Sequence, residues 1–248
     1  GENHAGALRL LDENSRRRRV GLLSQNEADQ AQPLLSPLYY IRRALSPYAD
    51  LIEPSSPDLI EAIPQLLEQH PAAIIMADVG TLPESVHERL IEWMNGGGTL
   101  IRFAGPRLAA AEYDEELLPV RLRTGERSLG GTLSWSEPQP VTEFPAGGPF
   151  ADLAPPQDVT VSRQVLAEPS ADIVERTWAN LADGTPLVTS APRGDGRVIL
   201  FHVTPEATWS NLPISGTFVE MLRRIVQLSR NQGTITANAD RPGGQLAP

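Results

Sequence analysis

AAIIMADVGTLPESVHERLIEWMNGGGTLIRFAGP, residues 72–106, reads as strand, helix, strand. Ala72 to Ala77 is a continuous apolar run, the pattern of a strand covered on both faces in a parallel sheet, and Asp78 marks its end. Thr81 followed by Glu84 has the spacing of a capping box, and Val86, Leu90, Ile91 and Met94 fall on one side of a helix. Gly96 to Gly98 stop that helix, because glycine enters the left-handed conformation without a side-chain clash. Thr99 to Phe103 is a second buried strand, so the stretch is a βαβ unit, and such units run right-handed.

Upstream, Val20 to Ser24 reads as the first core strand, approached by a basic run, Arg16 to Arg19, that is expected to be solvated. A short helix is expected over residues 5–14. The polar residues 24–36 follow the first strand, where open α/β sheets place their ligand crevice. Pro37 to Leu45 has helical spacing, Asp50 to Glu53 is a short strand, and Asp58 to Gln69 is a helix that Pro64 should kink or split. Strands interleaved with helices up to Pro106 predict an α/β fold with a flavodoxin-like, doubly wound, mostly parallel sheet.

Beyond Pro106 the pattern changes. Leu108 to Leu118 reads as a helix whose Glu112, Asp114, Glu115 and Glu116 form a solvated face, and residues 119–180 read as a loop-rich β insertion within one domain spanning 1–230. Antiparallel strands are expected over Val159 to Leu166 and Ile173 to Trp178. Thr185 to Ser190 and Arg197 to Val203 form a hairpin across Pro192-Arg-Gly-Asp-Gly196, so the Arg-Gly-Asp tripeptide is turn chemistry. Phe218 to Ser229 is a closing helix that buries Phe218, Met221, Leu222, Ile225 and Leu228, and residues 231–248 read as a disordered tail.

The formal net charge of −10 excludes a general nucleic-acid binder, which needs clustered Lys and Arg to meet phosphates. The absence of cysteine removes disulfides, thiolate metal sites and a thiol nucleophile together. No apolar run reaches the roughly 18 residues of a membrane span, although a start at Gly rather than Met fits a segment of a longer protein. The four histidines have no ligand spacing between them, so no metal is expected, and no cofactor. Gly96-Gly-Gly98 follows a helix and precedes a strand, the reverse of a phosphate loop.

The order of elements around residues 72–106 resembles the class I glutamine amidotransferase-like fold. The resemblance implies a cysteine on the turn after the strand that follows the glycine-rich helix end, with a later histidine near a glutamate. Here strand and turn read Ile101-Arg-Phe-Ala-Gly105, with Phe103 at the cysteine position, and neither Phe103 nor Ala104 is nucleophilic. Leu200-Phe-His-Val-Thr-Pro-Glu206 resembles that family's Phe-His-Pro-Glu segment with two residues inserted, which puts His202 at the triad histidine with nothing to activate. Asp183 to Val188, Gly196 to Val203 and Trp209 to Val219 resemble the soluble module of BatA-like, aerotolerance-regulator-related bacterial membrane proteins.

These readings lead to a non-catalytic interaction or ligand-sensing module, a pseudoenzyme placed by the second resemblance on the extracytoplasmic face of a bacterial membrane within a larger anchored protein. Its partner is an unidentified protein or small molecule. The residues expected to bind it are Asp78, Phe103, Gly105, Arg107, His202 and Glu206. Two rivals stand beside this reading: a hydrolase-like enzyme using Asp78, His202 and Glu206, and a structural spacer between membrane segments.

Overall fold

The computed structural model describes residues 17–25, 35–129 and 137–231, so the helix expected over 5–14 and the tail from residue 232 lie outside the described residues. The first half holds β1 (Arg18–Ser24), α1 (Tyr39–Leu45), β2 (Ala49–Ile52), α2 (Leu59–Glu68), β3 (Ala73–Ala77), α3 (Glu84–Asn95), β4 (Thr99–Phe103) and α4 (Pro106–Ala110). The second holds β5 (Arg127–Ser128), β6 (Gln139–Glu143), β7 (Thr160–Val161), β8 (Arg163–Gln164), α5 (Ile173–Arg176), β9 (Thr177–Leu181), β10 (Pro186–Arg193), β11 (Gly196–Phe201) and α6 (Gly216–Leu228).

One sheet runs in the order β2-β1-β3-β4-β11-β10-β9-β6-β7, and β5 and β8 form a separate antiparallel pair. The strands from β2 to β11 in that order are parallel to their neighbours, and those from β10 outward are antiparallel. The architecture is therefore mixed α/β. Residues read as an insertion contribute β6, β7 and β9 to the central sheet itself, so residues 119–180 extend the sheet.

The continuous apolar runs are buried because helices cover both faces of the parallel half. Val20, Leu22, Ile75, Ile101 and Phe103 point to the side of Ile41 and Leu45 of α1 and Phe218, Met221 and Ile225 of α6. Leu23, Ile74, Met76 and Leu100 point to the side of Ile63 and Leu66 of α2 and Val86, Leu90 and Met94 of α3. A single continuous run thus supplies two cores, as a doubly covered strand must.

Several local expectations change on folding. The capping box at Thr81 is not used: α3 starts at Glu84 after Pro83, with no side-chain cap. Pro64 does not split α2, which runs through it from an Asp58 cap whose carboxylate accepts the Ile60 N–H at 3.0 Å. The helix expected to Leu118 stops at Ala110, and the strand expected from Ile173 begins with the helical turn α5, tied by an Arg176–Asp172 ion pair at 2.9 Å. Leu228 is 61% exposed at the last turn of α6.

The basic run stays at the surface, as expected, but does more than meet solvent. Arg17 donates to the carbonyl of Ser46 at 3.0 Å, Arg18 to that of Ser229 at 2.6 Å, and Arg19 to that of Gln69 at 3.0 Å. Those three carbonyls belong to the C-cap residues of α1, α6 and α2 respectively. Three consecutive arginines thus satisfy the open ends of three helices, where backbone carbonyls lack partners and the dipole favours a cation. Asn231, read as the start of the tail, is buried and bridges β1, accepting from Arg19 N–H at 3.0 Å and donating to Arg17 O at 2.9 Å. Arg19→Ala should lower stability by about 1 kcal/mol in urea unfolding, through the loss of charge-assisted capping bonds on α2.

Candidate functional site

The carboxyl ends of β3 and β4 form the best-defined polar centre. Asp78 leaves β3 at φ 51°, a left-handed conformation that Asp tolerates better than most residues. That turn aims its carboxylate across the sheet end, where Oδ1 accepts the Leu108 N–H at 3.0 Å and Oδ2 lies 3.5 Å from the Arg107 guanidinium. Gly105 passes directly over the carboxylate, and a Cβ there would stand 2.2 Å from Asp78 Cγ. Burial pushes the Asp78 carboxyl above its usual range, against the Leu108 N–H and Arg107, which pull it down. Gln25, after β1, joins the same edge by accepting the Gly80 N–H at 2.8 Å.

Of the six residues expected to bind a partner, the fold brings Asp78, Gly105 and Arg107 together. Phe103, His202 and Glu206 are given internal partners in place of a ligand. Phe103 is 1% exposed, stacked on Phe201 at 4.4 Å and edge-on to Phe218 at 5.9 Å, because its position in β4 faces α6. His202 is wholly buried, its Nδ1 donating to Val165 O at 2.9 Å, which leaves Nε2 to accept from the Thr189 hydroxyl at 2.9 Å. Burial pushes its pKa down to about 4. Glu206 closes its own turn, accepting the Thr208 N–H at 2.9 Å and hydroxyl at 2.7 Å.

A cleft of about 890 Å³ lies beside this edge, between α3 and residues 111–118. The wall opposite α3 exists because residues 111–118 are not helical. Asp114 accepts the Leu117 N–H at 3.1 Å and meets His87 Nε2 at 2.8 Å, which ties that wall to α3. Arg193, first residue of the Arg-Gly-Asp turn, donates to the carbonyls of Glu116 at 3.0 Å, Glu115 at 2.9 Å and Leu118 at 2.8 Å. Gly196 of the same turn has no room for a side chain, since a Cβ would lie 2.1 Å from the Met94 and Gly98 carbonyls.

The floor of the cleft includes Arg102 of β4, 1% exposed. It donates to Leu117 O at 3.0 Å and Val79 O at 2.7 Å, and its Nε–H has no acceptor. Burial lowers its pKa to about 10, with Asp114 and Asp78 opposing the shift, so it is charged at neutral pH. Sequence reading missed Arg102 because it sits inside an apolar strand run, and missed the cleft because its second wall read as helix. The signal was there: a lone arginine in a strand predicted to be buried on both faces demands a reason. Among the described residues no group of His, Asp and Glu converges as metal ligands.

No family model and no curated sequence matches the chain. Solved structures do share the fold. Cytoplasmic protein STM3548 from Salmonella typhimurium superposes with a TM-score of 0.61 at 13% identity, over 86% of this chain and 99% of that one. Cytoplasmic protein STM1381 from Salmonella typhimurium LT2 gives 0.59 at 12%, over 86% and 99%. A ThuA-like protein from Parabacteroides merdae ATCC 43184 gives 0.51 at 13%, over 88% and 89%. At such identities the likeness shows the fold alone.

These matches correct the resemblance to BatA-like, aerotolerance-regulator-related membrane proteins, which none of them supports. What remains is the shared α/β fold. The extracytoplasmic placement within a larger membrane protein, which rested on that resemblance, is corrected with it, since the first two structures are of proteins described as cytoplasmic. None of the described helices is long and apolar enough to cross a membrane. The short hairpin and turn segments that suggested the placement are explained by strand pairing and by the packing of Trp209 and Leu212 in the core.

Gly105→Ala should destabilise the protein by about 2 kcal/mol, the range for overpacking a filled site, and should cost less in an Asp78→Gly background. A double-mutant cycle by urea unfolding measures that coupling. The buried His202 gives a pH signature. The unfolded side chain takes a proton near its ordinary pKa of 6.5 and the folded one only near about 4, so its contribution is intact above pH 6.5 and is lost as pH falls between these values. The loss is on the order of 3 kcal/mol. Unfolding of His202→Gln should be less steeply pH-dependent across that window.

Proposed function

We propose that the chain is a non-catalytic binding module that holds a small molecule or a partner segment in the cleft between α3 and residues 111–118. The observation that carries the reading is the state of His202, the group best suited to act as a base: both ring nitrogens are engaged by Val165 and Thr189, and the ring has no exposed surface. A base must reach the proton it removes directly or through one water. Asp78 and Glu206 are likewise held by Leu108 and by Thr208, and no hydrogen bond links the three side chains among the described residues. That arrangement argues against the hydrolase-like rival.

The scaffold supports a binding role. We read its parallel half as flavodoxin-like, because the order β2-β1-β3-β4-β11 has that topology, with the crevice expected where β1 and β3 diverge. The Gln25 to Gly80 bond crosses that point, and Gly80, Thr81 and Leu82 continue from it into the cleft. The cleft has the volume of a ligand pocket and apolar side chains in its lining, Leu82, Ile91, Leu108 and Leu118.

Two measurements test the reading. Purified protein should release no ammonia from glutamine above buffer, and turnover abolished by Asp78→Asn would overturn the non-catalytic part. A thermal-shift screen of small molecules and peptides should give hits that disappear in Ile91→Trp, which fills the cleft. Hits that survive that substitution would place binding elsewhere.

A further inference from the structure

The wall of the cleft opposite α3 is held in two different ways along its length. From Glu115 to Pro119 every main-chain carbonyl is taken by an arginine. Arg193 holds those of Glu115 at 2.9 Å, Glu116 at 3.0 Å and Leu118 at 2.8 Å, Arg102 that of Leu117 at 3.0 Å, and Arg176 that of Pro119 at 2.6 Å. Leu117 and Leu118 are buried besides, one in each core. This part of the wall is fixed.

The part before it is not. Glu112 and Tyr113 are exposed, and among the described residues their main-chain groups make no hydrogen bond. Side chains alone hold the span. Asp114 Oδ2 meets His87 Nε2 of α3 at 2.8 Å, and the Arg121 guanidinium lies 4.1 Å over the Tyr113 ring. Asp114 Oδ1 accepts the Leu117 N–H at 3.1 Å, which makes Asp114 the hinge between the loose span and the fixed one. Exposed backbone without main-chain partners, held by a few side-chain contacts, marks a segment that opens at low free energy.

There is room for it to move. Leu108, Ala111, Glu112, Tyr113 and Leu118 line the cleft and also a second cavity of about 220 Å³. The cleft continues from them to α3, the second cavity to residues 121–124, so the span is a partition between the two. The second cavity is bounded by Ala109, Ala110 and Ala111, whose small side chains leave it unfilled. The two tethers sit on opposite sides of the partition: His87 lines the cleft and Arg121 the second cavity. Once the His87 contact breaks, the span can fold toward Arg121 without disturbing the carbonyls held by the arginines.

We infer that residues 112–114 are a gate on the cleft. The Asp114–His87 contact latches it toward α3, and release of that contact lets the span fold back into the smaller cavity and widens the cleft for a ligand. The inference rests on the cleft being the binding site, as proposed above, but the opening itself is measured without a ligand.

The chain has no cysteine, so a pair of nitroxide labels can be attached at chosen sites. Pulsed electron resonance on a Glu88→Cys, Glu112→Cys protein, labelled on both sides of the cleft, should show one main distance and a minor longer one. His87→Ala should raise the longer population about fivefold, the shift that follows from losing one hydrogen bond of ordinary net worth. Adding Ala110→Leu, which fills the smaller cavity, should return that population to its parent level. Arg89→Ala, on the exposed side of α3, should leave it unchanged. Each of these variants alters an exposed or half-buried side chain and keeps the fold. An unchanged distribution in His87→Ala would overturn the latch, and so would an equal rise in Arg89→Ala. A longer population that survives Ala110→Leu would overturn the movement into the smaller cavity. If the distances behave as expected while no compound gives thermal shifts lost in Ile91→Trp, the gate stands and the cleft reading fails. If such shifts occur while the distances stay fixed, the gate fails and the cleft reading stands.

Discussion

Everything on the carboxyl edge of the sheet hangs on one carboxylate. Asp78 turns back at φ 51°, grips the Leu108 N–H at 3.0 Å, and is roofed by Gly105, which alone among residues leaves room there. This bond fixes where the chain goes after β4. It sets α4, and α4 delivers residues 111–118 opposite α3, where Asp114, Arg102 and Arg193 fasten them. Remove the Asp78 contact and the second wall of the cleft loses its starting point. An Asp in the left-handed region and a glycine pressed against it cost conformational freedom, so the surrounding structure must hold them in place.

Arg102 is the counterpart of that grip. A charge with 1% exposure is expensive unless satisfied, and here two backbone carbonyls and the nearby charges of Asp78 and Asp114 carry most of the compensation. The same guanidinium ties Val79, just past β3, to Leu117, in the cleft wall. It is thus both a fastener and the floor of the site, which is why the shape of the cleft and its electrostatics cannot be altered separately. The field is one-sided: carboxylates line both walls, and the cation beneath them is buried.

The other end of the sheet is organised by the opposite charge. Arg17, Arg18 and Arg19 each close the carbonyl end of a different helix, and Asn231 ties the end of the chain's last described segment to β1. The closing contacts are long-range, 29 residues apart for Arg17 and 211 for Arg18, which is why the basic run looked like a loose surface feature in the linear sequence.

The sequence by itself determined the βαβ unit of residues 72–106, the late hairpin, the covered strands and the lack of a nucleophile at Phe103 to Gly105, because these follow from apolar runs, glycine stops and side-chain chemistry read locally. It also brought Asp78, Gly105 and Arg107 forward, since residues at the end of a buried strand converge in any open α/β sheet. Only tertiary structure decided that Leu108 to Leu118 would break after Ala110, that His202 and Glu206 would spend their hydrogen bonds internally, and that Arg102 would lie beneath an acidic cleft. Each of those outcomes depends on a partner distant in sequence: Arg193 on the 115–118 carbonyls, Thr189 on His202, Leu117 on Arg102. Local propensity is a weak force beside such bonds, and a segment able to satisfy its carbonyls from across the fold has no need of the helix its composition favours.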